Sequence, residues 1–270
     1  MDDSVREFLF DQKKGLFVSG HIEVRQHDET PAQHVTGWLN KELLAINPAW
    51  LHFLADAMAK KVIEQKLEPL RTIVLSNDNY QANTFAAMLA AKLSNEPNFG
   101  NVEAAAMTMS FNPPRHTITM NKRGYKRAQR VIIADVASFT LDTLRQLAQS
   151  VRHDRGSAGP EIIIACAMRL FYEDAQPMTA AVLKNLPTLI GCEIPMQQFG
   201  RIQHCKLCKS GRPLTHVFDP KNGLRVYNPE AEACEQEAEA RRVKILEEID
   251  AEYQKRVRAG EHPKPPMRTH

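Results

Sequence analysis

The chain has no run of 18 apolar residues, so no membrane-spanning helix is expected. Its first residues, MDDSVREFLFDQKKG, are charged throughout and contain no apolar stretch of the kind a secretory leader needs. No internal repeat is present. The five cysteines are odd in number and irregularly spaced, which argues against a disulfide framework and for a reduced, cytoplasmic protein. A net charge of +3 over 270 residues is too small by itself to predict a nucleic-acid partner, and neither nucleic acid nor a membrane is expected as one. Acid is missing locally as well: between Ala104 and Ala134 stand Arg115, Lys122, Arg123, Lys126, Arg127 and Arg130, with no Asp or Glu. Such a run reads either as a solvated surface loop or as a mobile loop that closes on a polyanion.

What the chain does have is enough apolar residue, 43%, for one sizeable core. Pro48 suits the first position of a helix whose face carries Trp50, Leu51, Leu54, Ala57, Met58 and Val62. Arg71–Leu75 reads as a strand, Ser76–Gln81 as a turn and Ala82–Leu93 as an apolar helix. Val102–Met109 reads as a strand, 110–129 as the basic loop, Val131–Ala134 as a strand and Leu141–Arg152 as a helix. Ile162–Ala167 is a further strand. This alternation predicts an α/β fold, a parallel sheet flanked by helices, with ligands at the carboxyl ends of its strands. The expected division is a hood segment over 1–47, an α/β core over 48–176, an irregular part over 177–228, and a charged helix with a disordered tail over 229–270. In that last helix Leu246, Ile249, Tyr253 and Val257 form a narrow stripe suited to docking.

The chemistry concentrates in Arg130–Leu144, RVIIADVASFTLDTL: an apolar strand, an acid, a hydroxyl-rich turn, a helix. A helix N-terminus offers free backbone N–H groups to a phosphate, and the preceding acid lies where a sugar hydroxyl would sit. This stretch resembles the phosphoribosyl pyrophosphate (PRPP) loop of type I phosphoribosyltransferases. Asp135 takes the place of the first of two acids, Thr140 that of the first loop Thr and Thr143 that of the last hydroxyl, whereas Val136 replaces the second acid and Leu141 a glycine.

The order of elements is most similar to that of orotate phosphoribosyltransferases, with Phe17-Val18-Ser19-Gly20 and Asn47-Pro48 matching the N-terminal hood. Val18 stands where the family places a lysine, and the Ser76–Gln81 turn has no glycine. The resemblance implies transfer of phosphoribose from PRPP to a nucleobase, with magnesium and with release of pyrophosphate. It implies a sugar-binding role for Asp135, phosphate-binding roles for Ser138, Thr140 and Thr143, and a place at the pyrophosphate for Asn77 and Asn79. Lys122, Arg123 and Lys126 would neutralise the leaving group, with Arg115 as a further candidate, and Arg169 would clamp the base. A homodimer is the expected assembly. The alternative is a catalytically divergent protein of the same fold that senses PRPP or a nucleotide, or binds a partner.

Cys205-Lys-Leu-Cys208 is a lone CxxC. Zinc would need two more ligands, and Cys192, His216 and Cys234 are the near candidates, at spacings that fit no standard zinc module. Two reduced thiols in a turn are therefore expected there, and zinc is not.

Overall fold

The structure, a computed structural model, describes residues 3–25, 32–77, 79–112, 115–119, 127–139, 141–155, 159–173, 186–199, 202–219 and 223–259. The chain forms two compact units, Met1–Leu224 and Arg225–His270. The first begins with helix α1 (Asp3–Phe10) and the antiparallel strands β1 (Phe17–Val24) and β2 (Gln33–Leu39). Helices α2 (Lys41–Ile46) and α3 (Pro48–Glu64) follow, α3 with Pro48 in its first turn and Leu51, Leu54, Met58 and Val62 buried. Then come β3 (Thr72–Asn77), α4 (Tyr80–Ser94), β4 (Val102–Asn112), β5 (Arg115–Thr119), β6 (Arg130–Ser138), α5 (Asp142–Arg155) and β7 (Glu161–Tyr172). The unit ends with β8 (Thr188–Met196), β9 (Gln198–Phe199), the short helix α6 (Lys206–Lys209), β10 (His216–Asp219) and β11 (Gly223–Val226), which spans the boundary between the units.

Six strands form the main sheet in the order β5-β4-β3-β6-β7-β8. All neighbours in it pair in parallel except β5, which runs antiparallel to β4. The expected parallel sheet flanked by helices is thus the one observed. Along β6 all nine residues are buried, and their alternation divides them between two layers. Ile132, Ala134 and Val136 face a core shared with Phe85, Ala86 and Leu89 of α4, while Val131 and Ile133 face Leu144, Leu147 and Val151 of α5. A strand covered on both faces reads as a continuous apolar run, which is why the period-2 signal is faint in the sequence.

A second sheet has the order β11-β10-β1-β2-β9, with β1 parallel to β10 and antiparallel to β2. Ile22, Val24 and Val35 form a small core on one of its faces. Among the described residues, no helix is long and apolar enough to cross a membrane.

Four expectations change. Strand β6 does not stop at Ala134 but runs on to Ser138, so Asp135 and Ser138 belong to a strand and not to a loop. The turn expected over Ser76–Gln81 is shorter, because β3 reaches Asn77 and α4 starts at Tyr80. Part of the expected basic loop is a β-ribbon, with Asn112 opposite Arg115 and Thr108 opposite Thr119; the β-branched run Thr117-Ile118-Thr119 suits it. Arg130 is no loop cation either: its Nε donates to Glu161 Oε2 at 2.6 Å and its Nη1 to the Glu68 carbonyl at 2.8 Å, beneath the sheet's amino end.

In the second unit, α7 (Pro229–Arg258) is capped by Asn228, whose side chain accepts from the N–H of Glu230 and of Ala231. Val243, Ile245, Leu246, Ile249 and Val257 are exposed along it. The tail from Gly260 lies outside the described residues.

Candidate functional site

In the main sheet the chain runs from β3 through α4 outward to β4, and from β6 through α5 in the opposite direction to β7. The two crossover helices lie on opposite faces, since α4 buries its apolar side in one layer and α5 in the other. The gap between β3 and β6 is therefore a topological switch point, where an open α/β sheet leaves a crevice beyond its carboxyl ends. The hydrogen-bonded ladder shows that opening. Pairing between β3 and β6 ends at Leu75 opposite Ile133, whereas β6 stays paired with β7 as far as Ser138 opposite Arg169. Ser76 and Asn77 on one strand and Asp135–Ser138 on the other flank the opening.

On the β3 side, the absence of glycine is offset by asparagine. Asn77 Oδ1 accepts from the Asn79 N–H at 3.1 Å, and Asn79 Oδ1 accepts from Gln81 and Ala82 at 2.9 and 3.4 Å, capping α4. Ser76 Oγ donates to Asn83 Oδ1 at 2.8 Å. On the β6 side, Ser138 Oγ accepts from the Leu141 N–H at 3.1 Å, which leaves the hydroxyl hydrogen to donate elsewhere. Leu141 holds φ +57°, in the left-handed region, and its side chain is fully buried against the α5 layer. The backbone here keeps a conformation suited to the glycine of the family pattern while a leucine occupies it. Thr143 is half-buried in the first turn of α5.

Asp135 is a buried carboxyl with 9% of its surface exposed. Burial pushes its pKa up to about 6, against the opposing pull of Lys41 and of the backbone N–H groups of Ala137 and Val136. Lys41, which the sequence did not single out, opens α2, and its Nζ donates to the Ala137 carbonyl at 3.3 Å. Opposite Asp135 on β7 lies Cys166, whose thiol is raised by its own burial and then by the Asp135 charge, and is therefore inert.

Arg169 is opposite Ser138, at the right end of the sheet for a ligand group, but its Nη1 donates to Glu193 Oε1 at 2.7 Å. A base carboxylate would have to compete with that ion pair. Lys122, Arg123, Lys126 and Thr140 lie outside the described residues; Arg115 falls on β5, and its side chain also lies outside them.

A second group of reactive side chains forms in the other sheet. His21 and Glu23 on β1 and His34 on β2 share one face, because His34 is directly opposite Glu23 and His21 is two residues from it. The CxxC meets this face: ligand atoms of His21, His34, Cys205 and Cys208 all lie within 4.8 Å of one another. The neighbours suggested by sequence proximity are not those found. Cys192 is buried in the main core, Cys234 is on α7, and His216 is opposite Ile22, on the other side of the sheet from His21. No periodic signal links positions 21, 34 and 205; only the paired strands bring them together.

No protein-family model and no curated protein matches the sequence. Among solved structures, orotate phosphoribosyltransferase from Aeropyrum pernix is similar, with 13% identity and a TM-score of 0.44, over 70% of this chain and 93% of that one. A hypoxanthine-guanine phosphoribosyltransferase from Bacillus anthracis has 16% identity and a TM-score of 0.38, over 55% and 79%. Adenine phosphoribosyltransferase from Saccharomyces cerevisiae has 15% identity and a TM-score of 0.40, over 58% and 86%.

Proposed function

We propose that the protein binds PRPP in the crevice between β3 and β6 and transfers its phosphoribose to a nucleobase, orotate being the first to test. The observation that carries this reading is the parting of the two strands beside Asp135. A carboxyl at the switch point, on the strand that leads through a short turn into a helix N-terminus, is a place for a phosphorylated sugar.

In the reaction a ring nitrogen of the base, its proton lost to solvent, attacks C1 of the ribose as the C1–O bond to pyrophosphate breaks, and pyrophosphate leaves with the bonding electron pair. Asp135, ionised, accepts from a ribose hydroxyl and favours the positive charge that develops on the ring. The Ser138 hydroxyl, Thr140, Thr143 and the α5 N-terminus take the 5-phosphate. Asn77, Asn79, Lys122, Arg123 and Lys126 take the pyrophosphate. Asp135 is the one carboxylate on β6, so the phosphates of the ligand would hold the magnesium ion, which would offset their charge. Arg169 reaches the base only by leaving Glu193. Positioning of this kind is the main source of rate in such a transfer.

Titration calorimetry with PRPP and Mg²⁺ tests the binding. Asp135→Asn is expected to weaken it by about 1–3 kcal/mol, the scale of a lost charge-assisted hydrogen bond. Equal affinity in both proteins would remove Asp135 from the site. Pyrophosphate release with orotate, uracil, hypoxanthine and adenine tests the transfer. A second reading, a PRPP or nucleotide sensor without turnover, is favoured by Val136, which cannot accept from the ribose. Tight binding with no pyrophosphate from any base would select it.

A further inference from the structure

We propose that His21, His34, Cys205 and Cys208 form a structural zinc site that fastens the β1–β2 hairpin to the α6 turn. The distances have the scale of a tetrahedral shell. Bonds of about 2.3 Å to sulfur and about 2.05 Å to nitrogen put a thiolate and an imidazole nitrogen about 3.5 Å apart. Cys205 Sγ is 3.4 Å from His21 Nε2, and Cys208 Sγ is 3.6 Å from His21 Nε2 and 3.2 Å from His34 Nδ1. The two ring nitrogens are 2.8 Å apart. An ion between them would separate the rings by about half an ångström, to the tetrahedral edge of about 3.3 Å.

The outer partners point the same way. His21 Nδ1 is 2.8 Å from the Arg212 carbonyl, so this nitrogen carries the hydrogen and Nε2 presents its lone pair to the cluster. His34 Nε2 is 3.4 Å from Glu23 Oε2, which leaves Nδ1 facing inward, and Arg25 Nε holds the same carboxylate at 2.6 Å. Each imidazole thus has one nitrogen tied by an oxygen and the other aimed at the two sulfurs, the arrangement that orients histidine toward a metal. Soft sulfur with imidazole selects zinc over magnesium or calcium.

Two thiols lose their protons on binding, and two thiolates with Zn²⁺ make a neutral unit suited to this burial: His21 and His34 are 1% exposed and Cys205 is 0% exposed. Four protein ligands leave no open position, so the ion is structural. Its ligands come from residues 21, 34, 205 and 208, so it ties the start of the unit to its end. The bulge between Ser19 and Ile22 delivers His21, held there by the Thr215 hydroxyl, which accepts from the His21 N–H at 3.1 Å. The assignment does not depend on the proposed transfer reaction.

Metal analysis of the full chain, stripped, given one equivalent of zinc and desalted, tests the proposal. One zinc per chain is expected, with less than a tenth of that in Cys205→Ser/Cys208→Ser and no loss in Cys234→Ser. Because the double variant could misfold, the unaltered chain is read as well. Cobalt in place of zinc should give thiolate-to-metal charge transfer and the intense visible bands of a tetrahedral ion. Chelation should make two further thiols reactive beyond Cys234. Failure to retain zinc, an octahedral cobalt spectrum, or a Cys205–Cys208 disulfide in the chain would each overturn the proposal.

Discussion

Val136→Asp is expected to remove the cooperative unfolding transition of the protein, although by the family pattern it restores a missing acid. Val136 is 2% exposed, and its side chain enters the layer that β6 shares with α3 and α4, on the opposite face from Asp135. An ionised carboxylate placed there meets the apolar side chains of that cluster, while the nearby Lys41 Nζ donates to the Ala137 carbonyl at 3.3 Å and acts on the Asp135 charge. Burying an unpaired charge costs several kcal/mol, comparable with the whole stability of a domain, which is about 5–15 kcal/mol. Adding Leu141→Gly does not repair this. It relieves a positive φ, a gain of about 1–2 kcal/mol, but empties a fully buried leucine site, a loss of about 2–5 kcal/mol. Thermal denaturation followed by circular dichroism reads both. A native-like transition in Val136→Asp would mean that the residue faces the crevice.

Asp135→Asn should act in the other direction and stabilise the protein. The native carboxyl has its pKa raised to about 6, whereas in the unfolded chain it has the ordinary value of 3.8. Between these values the native state holds a proton that the unfolded state has lost. Stability attributable to this group is therefore greatest below about pH 4, falls as pH rises toward 6 and stays low above it. The difference is about 3 kcal/mol, from roughly two pH units at 1.36 kcal/mol each. The variant should gain up to that amount at pH 8 and nothing at pH 4, measured as denaturant midpoints across pH. A loss of stability at pH 8 would show that the charge is paired. A carboxylate the fold would be more stable without, placed at the mouth of the crevice, belongs to the ligand rather than to the core.

The central layers were legible in the sequence because strands buried on both faces and helices with one apolar face leave strong patterns. α3, α4, β3 and β7 appear where those patterns place them. The carboxyl end of β6 was not, because Asp135 and Ser138 are polar residues in buried strand positions. β8 lies within the part that reads as irregular, because Gly191 and Pro195 interrupt its apolar pattern; a Cβ at Gly191 would lie 2.4 Å from the Ala167 carbonyl, so the close approach of β7 requires glycine. Asp135, Ser138 and Arg169 are visible through their place in a motif, and the structure pairs Ser138 with Arg169 at the end of the sheet, with Asp135 three residues earlier on the same strand. Lys41 was invisible, since a lysine at a helix start has no signature until the fold brings it to β6. The histidines facing the CxxC were missed for the same reason: metal-ligand spacing is readable only when the ligands come from one local segment, and here they are joined by pairing across two sheet strands.

The claim that the β3–β6 crevice holds a phosphoribosyl ligand is tested most directly by hydrogen exchange of the full chain with and without PRPP and Mg²⁺. The account predicts slowed exchange at both lips of the crevice, in peptides covering 76–83 and 135–145, and in the basic segment 110–129. The β1–β2 hairpin should be unchanged. Binding established by calorimetry with no protection at either lip, or with protection confined to the second sheet, would contradict it.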